Sequence, residues 1–317
     1  MPDRNAELTI LSRDADLLEK EIIAMNINGL RIVQCATQDN DIDTSKVHIL
    51  LADPDLAVKV VEQCRHLQWC QSTWAGNKPL LQLAKRDYTL TGVRGIFGEK
   101  MREYVFAYLL HFSRDVDTFR ALEHAPQEHR WMQPAPGTLN GSTLGILGAG
   151  SIASALLPVA NAFGMRVVGL NSKGETQPGY DAMFASADKQ AFAAQCQAVV
   201  NLLPDTSATA NFIDEHVFSA LPEGAVFINA GRGSAVDDAA LLDALDNGTL
   251  RAAVLDVFRQ EPLPASHPFW SHPKIWVSQH TAAISAADDV ARVFAENLQR
   301  FLNAEPLHYQ LDFERGY

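Results

Sequence analysis

The sequence predicts an α/β fold in two domains, on three observations. Short apolar runs alternate with helical patterns along most of the chain, which is how parallel strands covered by helices read. A glycine turn, Gly148-Ala149-Gly150, stands between the apolar run 144–147 and a helical segment that reaches Phe163. A chain of 317 residues is long enough for two cores of ordinary size.

From the N-terminus, residues 8–11, 30–33, 48–51, 67–70 and 88–90 read as strands, and 14–25 and 56–64 as helices. This stretch lacks a phosphate-type glycine turn, so a small flavodoxin-like domain given to substrate capture is expected. Its most distinctive segment is WCQSTWAG, residues 69–76, where a strand leaves the core into Trp74, Ala75 and Gly76. The backbone N–H groups of such a turn can receive a carboxylate. The segment reads equally as a plain turn, since glycine punctuates most turns.

From Gly98 a helical pattern runs to Leu122 through Met101, Val105, Tyr108, Leu109, Phe112, Val116 and Phe119. The stripe is wider than one face, so two partners are expected, the next domain and a second copy of the chain. A polar segment, 123–140, with Pro134 and Pro136, then leads to the glycine turn.

There a strand, a turn, a helix and a second apolar run at 167–170 follow in the order of a dinucleotide-binding unit. Gly148 permits the turn and Gly150 lets backbone approach a pyrophosphate. Ser151 and Ile152 open the helix whose N-terminus attracts it, and Ala153 lets helix pack on strand. The domain is therefore expected to be a doubly wound Rossmann-type cofactor domain. Where an NAD site usually carries Asp or Glu for the ribose 2′-hydroxyl, this chain has Asn171, Ser172 and Lys173. A neutral pair followed by a cation suits a 2′-phosphate, so NADP(H) is expected over NAD(H), which stays open as a second cofactor. Lys173 also reads as an ordinary solvated loop lysine.

Further strands are expected at 198–203, 225–228, 252–255 and 275–278, with a clear helix at 237–247 that aspartates open and Gly248 closes. The last helix, 285–302, carries Val290, Val293, Phe294, Asn297, Leu298, Phe301 and Leu302, and is expected to return to the first domain. The expected division is 1–98 with 285–317 for the substrate domain and 99–284 for the dinucleotide-binding domain.

A formal net charge of -12, with no lysine- or arginine-rich run, argues against nucleic acid and anionic membrane partners. The most apolar short run, 104–110, is far short of the roughly 20 residues a membrane span needs. Cys35, Cys64, Cys70 and Cys196 have no ligand-type spacing, and nothing at the N-terminus resembles a cleavable signal, so reduced thiols in a cytoplasmic protein are expected.

In a doubly wound sheet the ligand lies beyond the carboxyl ends of the strands, so polar residues just after predicted strands carry the functional reading. Arg232 follows one strand, Asp256 ends another and His280 follows the last. Glu261 lies in DVFRQEPLP, stiffened by Pro262 and Pro264. The set suits reduction of a 2-keto acid, with Arg232 binding the carboxylate and polarising the carbonyl while His280 protonates its oxygen. An adjacent carboxylate favours the charged form of an imidazole, and Glu261 is expected to pair with His280. Taken singly, each of these residues also reads as a structural group. His267 and His272 lie in HPFWSHP without ligand spacing, so no metal site is expected.

With these residues placed, the chain resembles the D-isomer-specific 2-hydroxyacid dehydrogenase family over nearly its whole length. The motifs, in order, are GIFGEKMREYV, LGILGAGSIA, NLLPDTSAT, INAGRGSAVD, LDVFRQEPLP, SQHTAA and LDFERGY. The resemblance implies catalytic Arg232, Glu261 and His280, and Asp256 at the nicotinamide carboxamide. It also implies Leu203 and Pro204 on the adenosine side, Ala230 and Gly231 beside the cofactor, and a homodimer around the long helix. The chain is most similar to the glyoxylate and hydroxypyruvate reductase A branch, with small 2-keto acids as substrates. Trp74 stands where phosphoglycerate dehydrogenases usually have arginine, which disfavours a phosphate-bearing substrate. The same scaffold resembles certain transcriptional co-repressors that sense NAD(H), which makes a nicotinamide-sensing binding protein the rival reading.

Overall fold

The computed structural model describes residues 6–314. They form two compact units, one of residues up to Ile96 together with those from Ser285 onward, the other Phe97–Ile284. The last three residues of the LDFERGY motif, 315–317, lie outside the described residues.

In the first unit β1 (Ala6–Leu11), α1 (Ala15–Ala24), β2 (Leu30–Ala36), β3 (Ile49–Ala52), α2 (Pro54–Val60), β4 (Trp69–Ser72), α3 (Lys78–Leu81) and β5 (Thr89–Thr91) follow in sequence. The strands pair in parallel in the order β2-β1-β3-β4-β5, the flavodoxin-like arrangement. Every residue of β3 and β4 is buried, which is why both read as continuous apolar or small runs. Just past the strand ends, buried Asp53 accepts from Ser12 Oγ at 2.9 Å, Thr73 Oγ1 at 2.6 Å and the Arg13 N–H at 2.9 Å. One carboxylate thus ties together the segments that leave β1, β3 and β4.

The second unit opens with α4 (Gly98–Ser113) and α5 (Val116–Glu123). The sequence pattern reads as a single helix to Leu122, but the chain breaks at Asp115, which is left-handed at φ 54. Aspartate tolerates that conformation, and its carboxylate accepts from Arg251 at 2.6 Å. Because α5 buries none of its residues, no core contact favours a straight continuation.

There follow β6 (Thr143–Leu147), α6 (Ser151–Ala162), β7 (Arg166–Asn171), β8 (Ala182–Ala185), α7 (Lys189–Ala193), β9 (Ala198–Asn201), α8 (Glu215–Ala220), β10 (Ala225–Asn229), α9 (Asp238–Asp246), β11 (Leu250–Leu255) and β12 (Ile275–Val277). All seven strands are parallel, in the order β12-β11-β10-β9-β6-β7-β8. This is a doubly wound Rossmann sheet whose order reverses between β6 and β9, where such sheets bind ligand. Edge strand β8 escapes the sequence pattern because it is half-buried at each position and shows no clean alternation. At α9 the Asp237 carboxylate accepts from the N–H groups of Ala239 and Ala240, as a capping aspartate should.

Finally α10 (Ala287–Leu302) rejoins the first unit. Phe294 stacks on Trp69 of β4 with centroids 5.1 Å apart. Asn297, which sits inside the apolar repeat, is fully buried and satisfied: its Nδ2 donates to Gln71 Oε1 at 3.0 Å and its Oδ1 accepts from the His308 N–H at 2.7 Å. No helix among the described residues is long and apolar enough to cross a membrane.

Candidate active site

The glycine turn leaves fully buried β6 and enters α6 with no side-chain cap on the helix N-terminus. Its first N–H groups are therefore not consumed by a capping side chain, the condition an anion needs there. Gly148 has φ +94, and a Cβ on it would lie 2.8 Å from the Leu202 carbonyl oxygen. A Cβ on Gly231 would lie 2.8 Å from Leu203 N. Backbone 202–203 is thus held between the glycine turn and the loop that carries Arg232. A Cβ on Gly150 would meet nothing within 4 Å, so open space lies where a pyrophosphate would approach. These residues fit a dinucleotide, with exposed Ser151 and half-buried Ile152 opening α6.

At the end of β7, Asn171 Nδ2 donates to the Glu175 carbonyl at 2.9 Å and its Oδ1 accepts from the N–H groups of Lys173 and Glu175, each at 3.1 Å. Asn171 closes the loop, which leaves Ser172 and Lys173 exposed at its tip. Lys173 Nζ lies 3.6 Å from Glu175 Oε1, so a carboxylate partly offsets its charge.

The polar rim predicted from strand ends is assembled in this unit. His280 Nδ1 lies 2.7 Å from Glu261 Oε2, and Glu261 Oε1 accepts from the Phe258 N–H at 2.8 Å. Burial works to raise the Glu261 pKa. The hydrogen bonds from His280 and Phe258, with the charges of His280 and Arg232, outweigh burial and hold the carboxyl below its ordinary value. Arg232 Nη1 donates to the Gly231 carbonyl at 2.6 Å. Burial lowers its pKa, opposed by the charges of Glu261 and Asp205, and a guanidinium keeps its charge at any working pH. Behind this loop a Cβ on Gly233 would lie 1.9 Å from the Phe258 carbonyl carbon, so Gly233 sets how closely the Arg232 loop approaches the Glu261 loop.

Asp256 follows β11 and is buried. Its Oδ1 accepts from Ser278 Oγ at 2.7 Å and from the N–H groups of Thr281 at 2.7 Å and Ala282 at 3.0 Å, while its carbonyl accepts from the His280 N–H at 2.6 Å. In these contacts it organises the His280 turn. Leu203 and Ala230 are buried, Gly231 is buried behind them and Pro204 is exposed.

Trp74, Ala75 and Gly76 lie in the first unit, on the turn after β4. Asn77 Nδ2 donates to the carbonyls of Trp74 at 3.2 Å and Ala75 at 3.3 Å, so the buried Asn77 engages the carbonyl side of the turn. The Arg13 guanidinium sits 5.7 Å from the centre of the Trp74 ring and is itself held by Asp55 at 3.0 and 2.5 Å.

Sequence reading missed the buried amides Asn201 and Asn229, which end β9 and β10 and bond to each other at 2.9 Å. Asn201 Oδ1 accepts from the Leu203 N–H at 3.1 Å, and Asn229 Nδ2 donates to the Arg232 carbonyl at 3.4 Å. The signal was present: polar residues closing apolar runs, as in the reading of Asp256. His267 and His272 each lie near a carboxylate, Asp238 at 3.7 Å and Asp246 at 3.2 Å.

The model of the D-isomer specific 2-hydroxyacid dehydrogenase NAD binding domain matches residues 106–282. The glyoxylate/hydroxypyruvate reductase A of Salmonella typhimurium is 32% identical over 220 residues, covering 69% of this chain and 70% of that protein. A D-isomer specific 2-hydroxyacid dehydrogenase family protein from Aeromonas salmonicida superposes with a TM-score of 0.91 at 37% identity, over 98% of this chain and 99% of that one. The NADPH-dependent glyoxylate/hydroxypyruvate reductase of Sinorhizobium meliloti, solved with NADP and sulfate, gives 0.85 at 26% identity, over 98% and 100%. A D-isomer specific 2-hydroxyacid dehydrogenase from Xanthobacter autotrophicus, solved with NADPH and MES, gives 0.88 at 27%, over 99% and 100%.

Proposed function

This chain belongs to the D-isomer specific 2-hydroxyacid dehydrogenase family, and on that premise we propose that it is an NADPH-preferring reductase of small 2-keto acids such as glyoxylate and hydroxypyruvate. Membership makes it an NAD(P)-dependent oxidoreductase. The finer reading gives a D-2-hydroxyacid wherever a chiral product forms. The reduction chemistry is carried by the 2.7 Å bond from His280 Nδ1 to Glu261, which leaves Nε2 to meet the substrate.

Gly148, Gly150, Ser151, Ile152, Leu203, Pro204, Ala230, Gly231 and Asp256 would hold the dinucleotide, with Asn171, Ser172 and Lys173 at its 2′ end. When bound, the reduced nicotinamide supplies the hydride. Arg232 binds the keto-acid carboxylate and draws electron density from the carbonyl. His280 delivers the Nε2 proton to the carbonyl oxygen and becomes neutral, and Glu261 stabilises the imidazolium that gives it up. Trp74, Ala75 and Gly76 take part in substrate binding; the indole itself carries no charge for a phosphate-bearing substituent, and the Arg13 guanidinium beside it is already paired with Asp53 and Asp55. The preference for NADPH rests on Lys173 and on the relatives solved with NADPH or NADP.

A second copy of the chain would dock along α4 and α5. What supports this is apolar surface: Val116 and Phe119 are exposed on α5, and Trp131 is 89% exposed in the segment after it. A cytoplasmic setting suits the four cysteines, all of them free thiols. The test is loss of NADPH absorbance with glyoxylate and hydroxypyruvate. No turnover on either, or turnover untouched by Arg232→Ala and His280→Gln, defeats the reading.

A further inference from the structure

His280 and its neighbour Gln279 both hold left-handed backbone, at φ 60 and 57. Residues with a Cβ disfavour that conformation, and it persists only where the surroundings over-determine it. The surroundings here converge on one atom. Asp256 Oδ1 accepts from Ser278 Oγ and from the N–H groups of Thr281 and Ala282, and Thr281 Oγ1 donates back to the Ser278 carbonyl at 2.5 Å. The residues on either side of His280 are therefore bonded to the same carboxylate.

One contact enters this cluster from a distant element. Tyr104 of α4 lies with its hydroxyl 2.7 Å from Ser278 Oγ. The direction of the bond follows from counting protons. Ser278 gives its single proton to Oδ1 of Asp256, which is an acceptor toward the Thr281 and Ala282 N–H groups too, so Ser278 must accept from Tyr104. Burial raises the Tyr104 pKa further than the Ser278 contact lowers it, with Asp256 adding to the rise, so the phenol stays a donor. Its ring is fixed edge-on to Tyr108 at 5.1 Å.

We propose that Tyr104 and Ser278 are positioning residues for His280: an ordered chain from Tyr104 O–H to Ser278 Oγ, and from Ser278 O–H to Asp256 Oδ1, holds the carboxylate that shapes the His280 turn. The proposal deepens the reading of His280 as proton donor and rests on it for its kinetic consequence. Neither residue need touch substrate. Both act through the orientation of the Asp256 carboxylate, which without Ser278 is free to turn about its last torsion and share its two backbone donors differently.

The full-length protein provides the test. With glyoxylate and saturating NADPH, Ser278→Ala is expected to lower kcat about tenfold, the scale of one lost hydrogen bond to a charged group. Tyr104→Phe lowers kcat by a smaller factor, and Ser278→Thr, which keeps the hydroxyl, restores it. Because Tyr104 acts through Ser278, the double variant is no slower than Ser278→Ala alone. Unchanged kcat in Ser278→Ala, or independent losses that multiply in the double variant, overturns the proposal. Hydrogen exchange at the Thr281 and Ala282 amides gives a readout that does not require turnover: exchange quickens in Ser278→Ala and returns toward wild type in Ser278→Thr. Unaltered exchange in Ser278→Ala overturns the proposal, whereas exchange that quickens in Ser278→Ala while the wild-type protein reduces no keto acid counts against the functional reading alone.

Discussion

Oε2 of Glu261 lies 2.7 Å from Nδ1 of His280 while Oε1 is held at 2.8 Å by the Phe258 backbone, so one carboxylate joins the imidazole to the scaffold. Replacing the proton donor by an amide of similar reach should separate chemistry from binding. His280→Gln is expected to lower kcat by about 10²–10⁴-fold, the usual range for a lost general acid, and to leave NADPH binding by fluorescence titration unchanged. A parallel loss of NADPH affinity would place His280 in binding rather than catalysis.

The lowered Glu261 pKa sets a direction for acid stability. An unfolded glutamate takes up its proton near pH 4.3, above the folded value, so this contribution to stability is present above that range. It fades as the pH falls through the folded value. The difference in Tm between wild type and Glu261→Gln should therefore be largest near neutrality and close on acidification. A gap that widens toward low pH would contradict it.

Arg232 combines a fixed charge with a planar fork, and lysine keeps only the charge. Arg232→Lys is expected to raise KM for glyoxylate about tenfold, equivalent to roughly 1.4 kcal/mol. Burial around this position would also let a lysine lose its proton more readily, so KM for glyoxylate should rise more steeply at alkaline pH in the variant than in wild type. Equal pH profiles would argue that the side chain is more exposed in the working enzyme.

Lys173 and Glu175 make a sharper cofactor test than Lys173 alone, since they lie 3.6 Å apart. Lys173→Ala is expected to raise KM for NADPH by a factor of about five, close to 1 kcal/mol, and to leave KM for NADH in place. Glu175→Gln should shift selectivity toward NADPH. Added salt should shrink both effects, because the two side chains are exposed. Parallel changes for the two cofactors would remove Lys173 from the 2′ site.

Two glycines should fail in opposite ways. Gly233→Ala places a methyl group against the Phe258 backbone and is expected to cost about 2 kcal/mol or more by denaturant unfolding. Gly150→Ala meets no atom within 4 Å, so its stability should hold while NADPH binding weakens. A stable Gly233→Ala would mean that the two loops part easily.

The sequence by itself determined the α/β class, the βαβ unit around Gly148 and the strand ends that carry Arg232, Asp256 and His280. Each of these is written in local periodicity, or in a turn that only a small residue permits. Half-buried β8 and the break at Asp115 left no such local mark. The tertiary structure alone decided the close pass of Gly233 against Phe258, the amide pair Asn201–Asn229, and the bond from Tyr104 to Ser278 across 174 positions. Those contacts depend on which strands become neighbours and how closely their loops approach. A pattern of neighbouring residues records which side chains want burial, whereas the order of a parallel sheet decides whom they meet.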